Sequence, residues 1–358
     1  MNYVILNGMK STLIKGLLIQ SLPPISKPLM RSRTETIDGR DGDIVTKLGY
    51  SAYDKEMSIG LFGDFDIDEV IKFFDSEGTV IFSNEQDKYY QYEILEQIDF
   101  ERLIKFRTAT VKMHCQPFKY SAVADEVVVS KNKFRARPYS VSKNGVEVEV
   151  ESGIINISGH PIVRTEFYIP LNNMILPAGT YTLQADCDGT GENLVTCRLI
   201  GENPTDADSF GGRSFNLGQT VEILDVLSAP KEFKYLWVSI PYIGNMDFDL
   251  YMQVLDNNFE SFEILNRGNT IARPKMTVYG SGTVNLSINS KEVFSLNLSS
   301  GSYITLDAEE MNAYKGNVLM NRSVSGDFNN LVLKSGLNEI SWTGDVTQVL
   351  VEKGSRWI

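Results

Sequence analysis

Short runs in which apolar and polar residues alternate recur along almost the whole chain, many of them closed by Gly, Asn or Pro. The run 105–115 is the strictest: Val111, Met113 and Cys115 fall on one side, Thr110, Lys112 and His114 on the other. A period of two puts alternate side chains on opposite faces of a strand and cannot line one face of a helix. Strands of this kind are expected at 79–83, 89–95, 146–150, 153–157, 180–184, 195–200, 222–224, 235–240 and 249–254, and again at 275–279, 283–288, 293–298, 303–307, 330–333, 338–342 and 346–351. Asn7-Gly8 after the apolar residues 3–6 is a hairpin signal. Pro23, Pro24 and Pro28 make an extended, helix-free stretch. Asp38-Gly39-Arg40-Asp41-Gly42 reads as a tight loop with two glycines available for positive φ.

One helix interrupts the pattern. Asp66 caps it, Glu69 is placed as the reciprocal partner, and Ile67, Val70, Ile71 and Phe74 form the apolar stripe. Gly78 suits the position past its end. The fold class is therefore all-β with one short helix, and 358 residues call for two or three bodies.

Charge divides the chain. The net of −12 is spread as −1 over residues 1–137, −10 over 138–258 (6 Lys and Arg against 16 Asp and Glu) and −1 over 259–358. The middle third is thus a module of different character, entered through Lys131, Lys133, Arg135 and Arg137. Its acidity argues against nucleic acid or an anionic membrane as partner. No stretch approaches the ~18–20 apolar residues of a membrane helix, and the run 16–19 is too short for a signal-peptide core. Of three cysteines, Cys187 and Cys197 could pair across neighbouring strands; buried free thiols in a reducing compartment are the expectation.

Little in the sequence carries chemistry. The two histidines, His114 and His160, read as a strand residue and a turn residue. There is no His-Glu-x-x-His run, no Gly-x-Ser-x-Gly elbow and no phosphate-cradling Gly-Lys-Ser/Thr loop. Asp186-Cys187-Asp188-Gly189 sets alternate carboxylates around a Gly turn, as calcium loops do, but lacks the downstream bidentate Glu, and Cys187 is no hard ligand. A solvated acidic turn is the expectation, with no metal, no cofactor and no catalytic residue. Tyr235 and Trp237 share one face of a strand and Tyr242 lies just beyond; aromatic faces stack on pyranose rings, so these three are the candidate saccharide contacts, or core aromatics if that face is buried.

Four patches resemble the distal tail protein family of siphophages: Asp38-Gly39-Arg40-Asp41-Gly42; Cys115-Gln116-Pro117-Phe118-Lys119-Tyr120; Asn266-Arg267-Gly268-Asn269 with Pro274; and Leu331 to Gly344, which includes Lys334-Ser335-Gly336-Leu337-Asn338 and Trp342. The resemblance covers roughly 1–130 and 259–358. It implies an N-terminal β-sandwich "belt" domain, 1–120, that assembles as a homo-hexameric ring, and a galectin-like β-sandwich from 121–130 and 259–358. The ring would join the tail tube to the tail-tip or baseplate proteins of a virion made in a bacterial cytoplasm. Residues 131–258 would be an inserted jelly roll, and 176–183 with 234–240 look like the carbohydrate-binding modules of longer family members, implying a host cell-surface saccharide as partner. The galectin sugar motif His-x-Asn-Pro-Arg is missing, so galectin shape without galactoside binding is implied. A free-standing adhesin or lectin is the alternative, followed by a polysaccharide-degrading tail enzyme; the reading is of a structural protein, not an enzyme.

Overall fold

A computed structural model describes residues 2–123, 125–190, 194–203, 209–216, 220–241 and 244–358, with the side chains of 173, 187–190, 194, 213, 215 and 216 left out of the description. The chain is all-β, as the alternation requires, and its described apolar residues gather into three separate cores.

The first core lies within one eight-stranded sheet. Asn7-Gly8 turns Val4–Leu6 back onto Met9–Lys10 as expected. The Asn7 side chain also accepts from Thr79 N (2.8 Å) and donates to Glu77 O (2.9 Å), fixing the start of Gly78–Phe82. The strands Met9–Lys10 and Leu17–Ser21 lie at opposite ends of the sheet order yet only six residues apart in the chain. The sheet must therefore curl around its core, and Val4, Leu17, Ile59 and Val111 all point inward.

The helix Ile67–Phe74 packs against this core. Asp66 caps it, accepting from Asp68 N and Glu69 N, but the capping is not reciprocal: Glu69 instead accepts from Lys15 N at 3.4 Å. The buried stripe is Val70, Phe73 and Phe74; Ile71 points outward. Gly78 does not end the helix, which stops at Phe74, and begins the next strand. A second helix, Phe100–Phe106, corrects the expectation of one. Asp99 caps it by accepting from Arg102 N; Leu103 is buried, Phe100 packs against the core from its edge, and Ile104 and Phe106 are exposed. The strand expected from 105 starts at Thr108 and runs to Ser121. Gln116-Pro117-Phe118 does not end it. The register against Lys88–Glu93 slips between Tyr90 and Tyr92, and the proline, which has no N–H to give, sits in that bulge.

The second core lies between a six-stranded and a four-stranded antiparallel sheet, a β-sandwich. Here the strands Tyr139–Lys143, Thr165–Leu176 and Ser209–Asn216 add to those read from the sequence. The segments entering and leaving this body are bonded side by side: Lys133 N donates to Val254 O (2.7 Å), Asp256 N to Lys131 O (2.9 Å), and the Asn132 side chain accepts from Val254 N.

The third core is enclosed by strands that serve two layers each. The short strands expected at 275–279 and 283–288, at 293–298 and 303–307, and at 338–342 and 346–351 are in fact three long ones, Lys275–Ile288, Lys291–Asp307 and Gly336–Glu352. Their ladders slip register where Gly280, Gly282, Gly301 and Gly344 fall. At Gly280 a Cβ would lie 2.1 Å from Asp345 O, so only glycine lets the two strands meet there. Residues 330–333 form the end of a 3-10 turn and a single bridge, Ala272↔Leu333, instead of a strand. Ile340 and Trp342 share the inner face as expected, with the indole N–H on Phe259 O at 3.1 Å.

Buried ionisable groups give the first body a pH limit. Burial raises Tyr53 and Cys115 to about 12, and burial with Glu85 beside it raises Tyr90. All three are neutral when folded, so their contribution is complete below pH ~9 and is lost as pH rises towards 12, where the unfolded chain ionises first. Circular dichroism and tyrosinate absorbance, followed together, should show a phenolate population released cooperatively with unfolding between pH ~10 and 12.

Candidate functional site

Two surfaces stand out. The first is a hairpin. Met30–Thr36 and Asp43–Tyr50 pair only with each other, outside every other sheet. Residues 31–43 and 45–48 are exposed, Ile37, Val45 and Leu48 by 47%, 58% and 56%. Asp38 to Gly42 form its tip, where Arg40 N donates to Ile37 O (3.2 Å) and Gly39 and Gly42 adopt φ of +84° and +78°. The tip glycines have open space around them, so their use is the turn itself. An isolated two-stranded hairpin is marginal in water.

The hairpin's root, by contrast, is tied down. Lys55, 3% exposed, donates to Pro24 O at 3.1 Å beneath the Tyr90 and Tyr53 rings, and Asn84 donates to Pro23 O at 3.1 Å. Burial lowers the Lys55 pKa. Neighbouring Lys119 and Glu85 form a buried pair at 2.7 Å. Where the hairpin returns, Tyr50 sits edge-on to Phe118, ring centroids 6.0 Å apart.

The second surface is the outer face of the four-stranded sheet. In Lys231–Ile240, Leu236, Val238 and Ile240 face the core, so Tyr235, Trp237 and Ser239 face outward. Register sets Tyr168 and Arg198 on either side of Trp237. Trp237 is neither a core residue nor an open platform. It is 5% exposed, covered by the Arg198 guanidinium 5.1 Å from its ring, with its N–H directed at Glu166 Oε2 at 3.4 Å. Half-buried Tyr235 meets Tyr168, 37% exposed, edge-on at 6.1 Å. Arg164 Nε donates to Ser239 Oγ at 3.0 Å. Tyr242 lies outside the described residues. Tyr168 and Glu166 were missed in the sequence because Pro170 interrupts the alternation of their strand, where Phe167, Ile169 and Leu171 facing inward was the signal available; Arg198 lies on the strand expected at 195–200, and only the register of two strands sets it against Trp237.

The opposite face of this body carries its acidity. Glu147, Glu149, Glu151, Asp186, Glu222, Asp247 and Asp249 occupy outward positions of the six-stranded sheet, with Asn156 donating to Asp249 at 3.1 Å. Among the described residues no group of three His, Cys, Asp or Glu is placed to hold a metal ion. Asp186 accepts from Thr220 Oγ at 3.1 Å, while the Asp188 and Cys187 side chains lie outside the description. Cys197 is a buried thiol, its Sγ 3.8 Å from Met252 Sδ. His114 pairs with Asp54 (2.9 Å), which Lys112 also meets at 3.0 Å; these two partners lower the Asp54 pKa. His160 faces Asn245 Oδ1 at 3.0 Å. Among the described residues no helix is long and apolar enough to cross a membrane.

No protein-family model matches the chain, and no curated protein does. Among solved structures it is similar to the SPP1 Dit protein, presented as a paradigm of the hub adsorption apparatus of phages that infect Gram-positive bacteria. That similarity has 13% identity and a TM-score of 0.46, over 98% of each chain. It is also similar to a chain of infectious bursal disease virus, Gx strain, at 10% identity and a TM-score of 0.17, over 98% of this chain and 62% of that one.

The two outward aromatics should separate by role. Trp237→Ala removes a covered ring and should destabilise the middle body by about 3 kcal/mol. Tyr168→Ala, at a partly exposed ring, should cost under ~1 kcal/mol. Thermal melts of the two variants check this; equal losses would mean that Tyr168 is as structural as Trp237.

Proposed function

We propose that this chain is a structural subunit of a bacteriophage tail tip: a distal tail protein that forms a ring of six between the tail tube and the host-adhesion apparatus. The carrying observation is the hairpin Met30–Thr36 with Asp43–Tyr50, anchored at its root and uncovered along its length. Its tip is the Asp38-Gly39-Arg40-Asp41-Gly42 loop that resembles the family. A closed ring needs a heterologous contact, one patch of each subunit against a different patch of the next. An arm with apolar side chains on a fixed root supplies one of the two patches. Covering an Ile, Val or Leu side chain of this exposure is worth about 1 kcal/mol, and Arg40 at the tip can meet a neighbour's carboxylate in bidentate fashion.

The middle body is read as a saccharide-binding module carried by this subunit. What supports it is the pairing of Tyr168 and Tyr235 on a face with Arg164, Arg198 and Glu166 around it. The seven carboxylates of the opposite sheet leave that face as the one able to approach an anionic cell surface. The role is structural and adhesive, and no catalytic step is assigned to it.

Electron microscopy and native mass spectrometry of the full chain test the ring. Wild type should give six-membered rings with a central channel, and replacing residues 37–42 by Gly-Gly should leave monomers of unchanged circular dichroism. A monomeric wild type at all concentrations, even with its neighbouring tail proteins present, would sink the reading. For the module, Tyr168→Ala should reduce retention on host cell-wall material at least tenfold without altering assembly.

A further inference from the structure

Beyond assembly and adhesion, we infer that residues 353–358 are a clasp that sets the angle between the hairpin-bearing first body and the third body, with Arg356 as its positioning residue. Arg356 is 5% exposed and touches both bodies at once. Its main chain pairs with Tyr120 of the strand Thr108–Ser121, and its guanidinium lies 4.1 Å from the Phe118 ring; both belong to the first body. Its Nε donates to Ile271 O at 2.7 Å, and its Nη1 is 3.7 Å from Glu309 Oε2; both belong to the third. A guanidinium withdrawn from water is tolerated only where its charge and donors are met. Those partners come from two bodies, so the site is complete only when the bodies hold one relative position.

The flanking residues fasten the same joint. Lys353 Nζ is 2.5 Å from Asp125 Oδ1, and Ser355 N donates to Asp125 Oδ2 at 3.3 Å. Asp125 belongs to the short connection between the strand ending at Ser121 and the strand beginning at Glu126, which is where the two bodies join. Trp357 pairs with Lys119, with Lys88 Nζ 5.1 Å from its ring. Ile358 N donates to Asn269 Oδ1 at 2.8 Å. On the third body the seat is shaped for the clasp: a Cβ on Gly268 would lie 2.2 Å from Arg356 O. Phe118 also carries Tyr50 of the hairpin root, so one ring separates the clasp from the arm. Direction of the third body, and of the middle body it holds, is thereby referred to the arm.

Two variants of the full chain test this from opposite sides. Arg356→Ala removes the bridging side chain; Gly268→Ala keeps it and dislodges the main chain by steric contact. Small-angle X-ray scattering should show a larger maximum dimension and a broader distance distribution in both. Proteinase K should cut the connection between Ser121 and Glu126 at least tenfold faster, while far-ultraviolet circular dichroism stays at the wild-type value. Unchanged scattering and cleavage in both folded variants would overturn the clasp. So would an effect in Gly268→Ala alone, which would reduce Arg356 to local packing. Should Arg356→Ala fail to fold, Gly268→Ala decides the matter by the same two readouts.

Discussion

The strand Gly336–Glu352 is the constraint on which the three-body arrangement depends. Along one edge it pairs with Lys275–Ile288 over nearly its whole length. Its other edge is shared in sequence by two short strands, Glu126–Ser130 against 348–352 and Ser261–Asn266 against 336–341. The first leads into the middle body and the second follows it. Once both are laid in register on one ladder, the ends of the intervening 130 or so residues are held together. The paired neck around Asn132 continues that closeness into the middle body. A module held this way can carry its own charge and its own surface without disturbing the core beneath it.

The middle body's polarity follows from strand alternation acting on two sheets. Each strand gives its even or odd positions to the core, and the remainder faces out. In the six-stranded sheet the remainder includes Glu147, Glu149, Glu151, Asp186, Glu222, Asp247 and Asp249, beside exposed Leu224, Val226 and Tyr251; in the four-stranded sheet it includes Tyr168, Tyr235, Trp237, Arg198 and Glu166. One body therefore has an acidic back and an aromatic, arginine-bearing front. In one row of that back, Asn156 stands between Glu149 and Asp249.

Two of the patches that resemble the distal tail family have roles at joints. Phe118 of the second patch touches both Tyr50 and Arg356, and Lys119 closes a buried pair with Glu85. In the third patch Asn266 donates to Thr270, Leu333 and Lys334 carbonyls and accepts from Gly268 N, which shapes the seat of the C-terminal residues. Buried side chains that satisfy main-chain groups from separate segments tolerate little substitution.

The sequence by itself determined the fold class, the hairpin turn at Asn7-Gly8, the capped helix after Asp66, the glycine-turned tip at 38–42 and the concentration of net negative charge in the middle third. These are local matters: the period of a strand, a cap three residues long, a turn that needs positive φ. The second helix carries the same local signals, Asp99 as cap and Phe100, Leu103 and Ile104 at i, i+3 and i+4, but at seven residues between two strands its stripe is too short to stand out. The long strands were read as pairs because a glycine looks the same whether it ends a strand or bends one; whether Gly280 turns or continues depends on Asp345, 65 residues away. For the candidate surface, Tyr235 and Trp237 were legible as sharing a face, but only tertiary structure could say that Arg198 and Glu166 cover Trp237 while Tyr168 stands open beside Tyr235. Exposure is set by what neighbouring strands bring across a sheet, and that register is a long-range property no local pattern contains.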